Sequence, residues 1–381
     1  MIEFTEEQKM LRDMVRDFAE NEVLPIAAEI DKEERFPAET IEKIAKLGLL
    51  GIPIPEEFGG AGLDTISTVI TVEELAKVCA STAITVDAHI TLGTMPILSF
   101  GTEQQKNKYL PALASGKYLG AFGLTEPSGG SDAGNCKTTA VLNGDEWILN
   151  GSKVFITNAN YSGTFVVTAK TQNQAGDSII SAFVVERENP GLSIGKSEKK
   201  MGWRGSDTRQ IFLDNARVPK ENLLGDPNHG FSQFLSILDT GRICIAALAN
   251  GITHAALKEA LKYTQERVAF GKPIYKFQGV QFPLAKIATK LHASRLMTYS
   301  VAKKDDAKEN VTKEAAMAKL FASELAMKAT TQAIQALGGF GYCREYPVER
   351  YFRDAKVLEI GEGTSEVQQL VIARKLLEEF G

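Results

Sequence analysis

The sequence predicts an α+β multidomain protein: an N-terminal helical domain, a central antiparallel β-barrel or sandwich, and a C-terminal four-helix bundle. Two switches of hydrophobic period predict it, from helical to strand-like near residue 121 and back again near residue 229. Length is the third observation, since 381 residues suffice for two or three domains with sizeable cores. The domains are therefore drawn at 1–120, 121–228 and 229–381.

The first domain opens on a capping-box pair, Thr5 and Gln8, followed by Leu11, Val15 and Phe18 at helical spacing. Asp64 to Val78 and Glu103 to Leu113 are further helical candidates, set off by the punctuation of GIPIPEEFGGAG and FGTEQQ. The middle domain then shows the short β-rich runs TTAVL, EWILN, KVFITN, TFVVTAK, SAFVVE and RQIFLDNARV. Asn143-Gly144-Asp145 and Asn150-Gly151 separate the first three at hairpin distances. Short strands without intervening helices imply a compact antiparallel barrel or sandwich. Helical period returns over 230–268, 277–305 and 312–337, the last with Met317, Leu320, Phe321 and Leu325 on one side. Gly338-Gly339 stops it. A final helix follows Thr364, with Ser365 and Gln368 at capping-box spacing. Long helices with short links make a bundle.

Composition narrows the function. A net charge of −5 argues against nucleic acid as the main partner, because phosphate binding needs a basic face. No window approaches the roughly 20 uninterrupted apolar residues that span a bilayer, so no membrane partner is expected. The start, MIEFTEEQKMLRDMVRDF, is charged throughout and unlike a signal peptide. Cys79, Cys136, Cys244 and Cys343 are scattered, as are the four histidines. Reduced thiols, a cytoplasmic location and no metal centre are the expectation.

Four segments could carry chemistry. Gly361-Glu362-Gly363-Thr364-Ser365-Glu366 has the outer form of a dinucleotide fingerprint, but too little chain follows for a βαβ unit. It leaves a carboxylate between two glycines at a helix start, where a ligand can approach the backbone and meet free N–H groups. Taken alone, a glycine-rich cap with a solvated glutamate is the commoner meaning of such a segment. Leu124 to Gly134, LTEPSGGSDAG, could bring hydroxyl and N–H donors to a flat polar ring or a phosphate, or be a plain connector. Phe155 and Thr157 lie two apart on a strand and face one side, as ordinary strand residues also do. Arg267, ending a long helix before VAFGKPI, complements the helix dipole at the least. Arg242, on a mostly apolar helix, needs a partner or a ligand.

Together, LTEPSGGSD, VFITN, ERVAFGKPI with FQ, Q.LGGFGY..EYPVER and RDAK..EIGEGTSE closely resemble the acyl-CoA dehydrogenase family, end to end and in the same domain order. The resemblance implies a homotetramer, a dimer of dimers, with one FAD per subunit between the β-domain and the bundle. Phe122, Leu124, Thr125, Gly130 and Ser131 would then contact the isoalloxazine and adjoining ligand. Phe155 stands where a ring-packing aromatic does, commonly Trp, and Thr157 would sit near flavin N5. Arg267, Phe270, Gln278, Gln335, Gly338 and Gly339 match dinucleotide contacts shared across a subunit interface, which would couple FAD binding to assembly. Thr364 and Glu366 match further FAD contacts. Ser131, Asp239, Arg242, Gly361 and Gly363 match positions at the acyl-CoA.

The implied reaction is α,β-dehydrogenation of an acyl-CoA thioester to a trans-2-enoyl-CoA, with electron-transferring flavoprotein as the electron acceptor. Glu362 would take the α-proton while flavin N5 takes the β-hydride. The base's own N–H and a ribityl hydroxyl would form the oxyanion hole. A helix start holds the carboxylate's pKa down and burial raises it; burial is expected to win once a CoA ester fills the pocket. Some members carry the base beside the helix arginine, but that position here is Gly241, which leaves Glu362. Short- and medium-chain members commonly carry Tyr before the base; here it is Gly361. Either the pocket opens for a bulky or aromatic acyl group, or neighbours refill the space. The same site could run as an enoyl-CoA reductase. An acyl-CoA oxidase, disfavoured by the compact length, and a non-catalytic acyl-CoA- or flavin-binding relative are the other readings.

Overall fold

The computed structural model describes residues 3–173, 176–227 and 229–381, so the boundary expected at residue 228 falls outside them. Before residue 119 the chain is helical: α1 (Glu6–Phe18), α2 (Ala27–Glu33), α3 (Ala38–Lys46), α4 (Thr65–Ala76), α5 (Ala80–Asp87), α6 (Met95–Phe100) and α7 (Glu103–Ala114). The Thr5/Gln8 capping box forms as expected, each side chain bonding the other's backbone N–H at 3.1 Å. Ala80–Phe100, in which a π-helical stretch (Ala88–Thr94) links α5 and α6, carried no expectation from the sequence. Its small and hydroxyl residues show no amphipathic stripe, because every residue from Ala80 to Thr91 is buried. Ala80–Phe100 and Gly230–Glu266 reach mean hydropathies of 1.2 and 1.3, but 72% and 78% of their apolar windows lie inside the protein.

The strands are β1 (Leu119–Gly123), β2 (Thr139–Asn143), β3 (Glu146–Thr157), β4 (Ser162–Gln172), β5 (Ser178–Glu186), β6 (Leu192–Ser197), β7 (Thr208–Pro219) and β8 (Leu223–Leu224). They form one sheet in the order β6-β7-β3-β2-β4-β5-β8, with β1 beside β4. Two expectations are corrected here. The sheet is mixed rather than antiparallel, since β1 runs parallel to β4 and β2 meets β4 in parallel at Thr139 and Lys170. The β2–β3 hairpin acts as the crossover between β1 and β4, which makes them point the same way. Asn150-Gly151 is not a turn but a bulge within β3, where the register against β7 shifts. A Cβ at Gly151 would come within 2.5 Å of Thr138 Oγ1, so only glycine fits that approach.

The C-terminal part holds α8 (Gly230–Glu266), the short pair β9 (Val268–Ala269) and β10 (Lys272–Pro273), α9 (Gln278–Asp306), α10 (Thr312–Leu337), α11 (Val348–Lys356) and α12 (Ser365–Phe380). In α10 the buried stripe is Ala315, Ala318, Ala322, Ala326, Ala329 and Ala333 with Leu325, whereas Met317, Leu320 and Phe321 stay half-buried. Small side chains let α10 lie close against the alanine-rich α8. One core joins α1, α4 and α5 to α8–α11; another lies among the strands. A third packs β4 and β5 on α6, α7 and Phe234 of α8. Helix α8 therefore touches both the sheet and the N-terminal helices, and the site forms around it.

Candidate active site

The loop after α11 presents Glu362. The N–H groups of Ile360 and Gly361 both donate to Val357 O, at 2.9 and 2.8 Å, which turns the chain sharply. Two left-handed residues follow, Glu362 at φ 53° and Gly363 at φ 91°. For a non-glycine residue this conformation costs about 1–3 kcal/mol. Thr364 then caps α12, its Oγ1 accepting from Val367 N–H at 3.3 Å. The expected Ser365/Gln368 pair is corrected: the cap lies one residue earlier, and Ser365 Oγ is buried without a protein partner. The Gln368 amide instead turns back, donating to Glu362 O at 3.1 Å and Gly363 O at 2.9 Å. Lys319, fully buried on α10, donates to Gly363 O at 2.7 Å. Both carbonyls of the left-handed pair are thus held.

The Glu362 carboxylate takes no part in these contacts. Both its oxygens are buried and, among the described residues, have no hydrogen-bond partner. Burial pushes its pKa up to about 7, against the opposing pull of the Lys319 ammonium and the Arg242 guanidinium. The protein's own packing supplies that burial, before any substrate adds to it. Gly241 of α8 lies directly beneath, where a Cβ would stand 2.3 Å from Glu362 Oε2. Asp87, at the end of α5, is also fully buried; its Oδ1 accepts from Thr91 Oγ1 at 3.1 Å and its Oδ2 has no partner among the described residues. Burial first, and the Glu362 charge second, raise Asp87 well above the carboxylate range. Arg242 finds its partner in Asp239 at 2.7 Å, and Thr312 Oγ1 donates to the other Asp239 oxygen at 2.6 Å. Arg242 Nε has no hydrogen-bond partner among the described residues.

The β-domain brings up the second group. Phe122 stacks on Phe234 of α8, ring centroids 3.9 Å apart, while Leu124, Thr125, Gly130 and Ser131 follow on the loop out of β1. Val154 N–H donates to Thr125 O at 2.8 Å and ties that loop to β3. There β3 bulges between Lys153 and Ile156, and Phe155 is left-handed at φ 59°. Ile156 is buried, while Phe155 stays 67% exposed and Thr157 half-exposed on the opposite side. Beneath the loop, Glu126 accepts from Lys153 Nζ and Thr138 Oγ1, both at 2.7 Å, and from the N–H groups of Lys137 and Thr138 at 2.6 and 3.0 Å. Burial alone would raise the Glu126 carboxyl, but Lys153 and these donors bring it down to about 2. Arg267, Phe270, Gln278, Gln335, Gly338 and Gly339 form a separate, exposed group. The Tyr263 and Phe340 rings, 6.3 Å apart, place the end of α8 beside the turn after α10. Along α8 that end lies roughly 40 Å from Gly241.

Three family profiles cover the chain: the acyl-CoA dehydrogenase N-terminal domain over residues 5–117, the middle domain over 121–216 and the C-terminal domain over 228–377. The chain belongs to the acyl-CoA dehydrogenase family. It is an FAD-dependent oxidoreductase. A probable acyl-CoA dehydrogenase of Bacillus subtilis is 54% identical over 99% of both chains. The butyryl-CoA dehydrogenase of Megasphaera elsdenii superposes with a TM-score of 0.96 at 42% identity, over 99% of this chain and 100% of that one. A chain from the work on the electron transferring flavoprotein of Acidaminococcus fermentans and flavin-based electron bifurcation also reaches 0.96, at 47% identity over 99% of both.

For an acyl-CoA dehydrogenase, two positions gain a physical explanation. Gly241 makes room for the Glu362 carboxylate. Gly361 has only Val357 of its own turn within 4 Å of where a Cβ would stand, at 3.5 and 4.0 Å. Sequence reasoning missed Asp87, Glu126, Lys153, Lys319 and Gln368. For Lys319 a signal existed: it is a lysine within the alanine stripe of α10, at a position that must be buried.

Proposed function

We propose that this enzyme dehydrogenates short acyl-CoA thioesters between Cα and Cβ, with Glu362 as the base. The observation that carries the reading is the Glu362 carboxylate, buried, unpartnered and poised near neutrality. An ionised form is accessible at pH 7, and no protein hydrogen bond must break before it takes a proton. Among the described residues, the Glu362 N–H meets no protein acceptor, so it is free to donate to the thioester oxygen as the enolate develops.

The residues fit FAD. Exposed Phe155 on a strained bulge, the Thr125 loop pinned beside it and the half-exposed Thr157 make a platform for a flat ring next to α8. The chemistry FAD supplies there is acceptance of the β-hydride. Thr364 and Glu366 extend this site from the start of α12, while Ser131, Asp239, Arg242, Gly361 and Gly363 surround the CoA ester. The roughly 40 Å between Gly241 and the Arg267 group is too long for one dinucleotide to bridge within one chain. A homotetramer that presents Arg267, Phe270, Gln278, Gln335, Gly338 and Gly339 to a partner's FAD accounts for that separation. Electron-transferring flavoprotein is the proposed oxidant of the reduced enzyme, in keeping with the Acidaminococcus relative. The four unpaired thiols suit a reducing cytoplasm.

The likeness to a butyryl-CoA dehydrogenase favours a short acyl chain, and the space around Gly361 extends the range to branched ones. The test is an anaerobic visible spectrum of the holoenzyme with butyryl-, isobutyryl-, isovaleryl- and 3-phenylpropionyl-CoA added in turn. Bleaching by butyryl-CoA and a branched ester is the expected result. Flavin that none of these esters bleaches, yet crotonyl-CoA reoxidises after chemical reduction, would reassign the enzyme as an enoyl-CoA reductase.

A further inference from the structure

We infer that Lys319 and Gln368 are positioning residues that clamp the Glu362–Gly363 turn from below, so that the base keeps its left-handed conformation with its carboxylate free, and that the Lys319 ammonium favours the ionised base. The inference rests on Glu362 being the base.

Lys319 is costly where it stands. Its side chain is fully buried, and among the described residues it forms no ion pair; its ammonium donates to the Gly363 carbonyl at 2.7 Å. A buried cation held by one carbonyl is expensive, and a methionine would fill the same space on the alanine stripe more cheaply. What the lysine adds is a hydrogen bond to the residue after the base and a nearby positive charge that acts on the Glu362 carboxylate without hydrogen-bonding it. Gln368, also fully buried, spans both carbonyls at 3.1 and 2.9 Å. A Cβ at Gly363 would come within 2.6 Å of Gln368 Nε2, so the glycine and the glutamine are shaped to each other. With both carbonyls held, the strain of a left-handed glutamate at φ 53° is offset by three hydrogen bonds, none of which uses its carboxylate.

Charge around the pair comes from several elements. Arg242 on α8 and Lys319 on α10 favour ionised Glu362 and burial opposes it, the Glu362 charge in turn raises Asp87 on α5, and Glu359 before the base and Glu366 at the start of α12 act on Lys319. Burial draws the Lys319 ammonium down to about 8, so it is charged at neutral pH. Removing it raises the pH at which Glu362 ionises, because one of the two cations that favour the carboxylate is gone.

The experiment is anaerobic stopped-flow bleaching of holoenzyme flavin by butyryl-CoA between pH 6 and 9, for the wild type, Lys319→Met, Lys319→Arg, Gln368→Met and Glu362→Gln. Lys319→Met should slow bleaching at least 10-fold at pH 7 and move its inflection up by roughly one pH unit. The Kd for a CoA thioether that the enzyme cannot dehydrogenate should stay within 3-fold, and Lys319→Arg should restore the inflection. Gln368→Met should slow bleaching without moving the inflection, since it loses hydrogen bonds but no charge. A wild-type rate and inflection in Lys319→Met overturns the proposal, and so does a slowed rate with an unmoved inflection. Should Lys319→Met not accumulate as holoenzyme, wild-type bleaching in Gln368→Met overturns the clamp. Normal bleaching in Glu362→Gln would remove the base itself, whatever the other variants show.

Discussion

Glu126 and Glu362 are both glutamates with buried carboxylates, and the protein treats them in opposite ways. Glu126, in the β-domain, is surrounded by Lys153, Thr138 and backbone donors, and its pKa falls to about 2. Glu362, at the bundle, has no hydrogen-bond donor on either oxygen among the described residues, and its pKa rises to about 7. Burial is the largest influence on each and would raise both; contact decides the outcome. Direct hydrogen bonds stabilise the charged form of Glu126, whereas Glu362 receives only the non-contacting fields of Lys319 and Arg242. One carboxylate is locked to pin a loop, and the other is left able to exchange a proton.

The largest effect that would break this comparison is in the β-domain. Glu126→Ala strands the fully buried Lys153 ammonium and should cost about 3–5 kcal/mol in denaturant unfolding. It should also loosen FAD, because the Thr125 loop loses its anchor. A cost below about 1 kcal/mol would mean that Lys153 is satisfied by its other partners, Thr168 Oγ1 and the Leu124 carbonyl. Acid should act on the same contact. A folded pKa depressed to about 2 contributes stability above the usual carboxylate range, and that contribution is lost as pH falls toward 2.

Glu362 carries the opposite sign. With its folded pKa raised, the native state holds a proton that the unfolded chain releases between about 4.5 and 7, so stability falls with rising pH across that window. Glu362→Gln removes this penalty. The variant should be more stable than wild type by up to about 3 kcal/mol at pH 8, and the two should converge near pH 4.5. Equal melting temperatures at pH 8 would contradict the burial of the charge. Gly241→Ala is next: its Cβ must displace Glu362 Oε2, and flavin bleaching should slow about 100-fold with FAD retained. Asp87→Asn should have the smallest effect. It removes a carboxyl whose own ionisation the nearby Glu362 charge disfavours, so the inflection of the bleaching rate should fall by about half a pH unit at most. A rise would place Asp87 in some other role.

The parts of the molecule legible in the sequence were those with local signals. The period of α8–α10, the Thr5/Gln8 box and the glycine stop at Gly338 depend on neighbours in the chain, and each formed where expected. Ala80–Phe100 was invisible because the unbroken burial of residues 80–91 erases amphipathic contrast. Asn150-Gly151 misled, because the same dipeptide that makes a hairpin turn also makes a bulge when a residue such as Thr138 crowds the strand. Glu362 was legible as a base through resemblance to a family. Its unpartnered state was not, since Gly241 lies 121 positions away and Lys319 is 43 away in the numbering, and both meet it only in the folded chain. Contacts of that kind leave no period or spacing to read.

The most direct test of the central claim is the anaerobic rate of flavin bleaching by butyryl-CoA as a function of pH, in wild type and Glu362→Gln holoenzyme. The account predicts a wild-type rate that rises through an inflection near pH 7. In Glu362→Gln it predicts a rate lower by on the order of 10³–10⁴-fold, with no such inflection and with FAD still bound. A variant that bleaches at the wild-type rate, or keeps the inflection, would contradict Glu362 as the base.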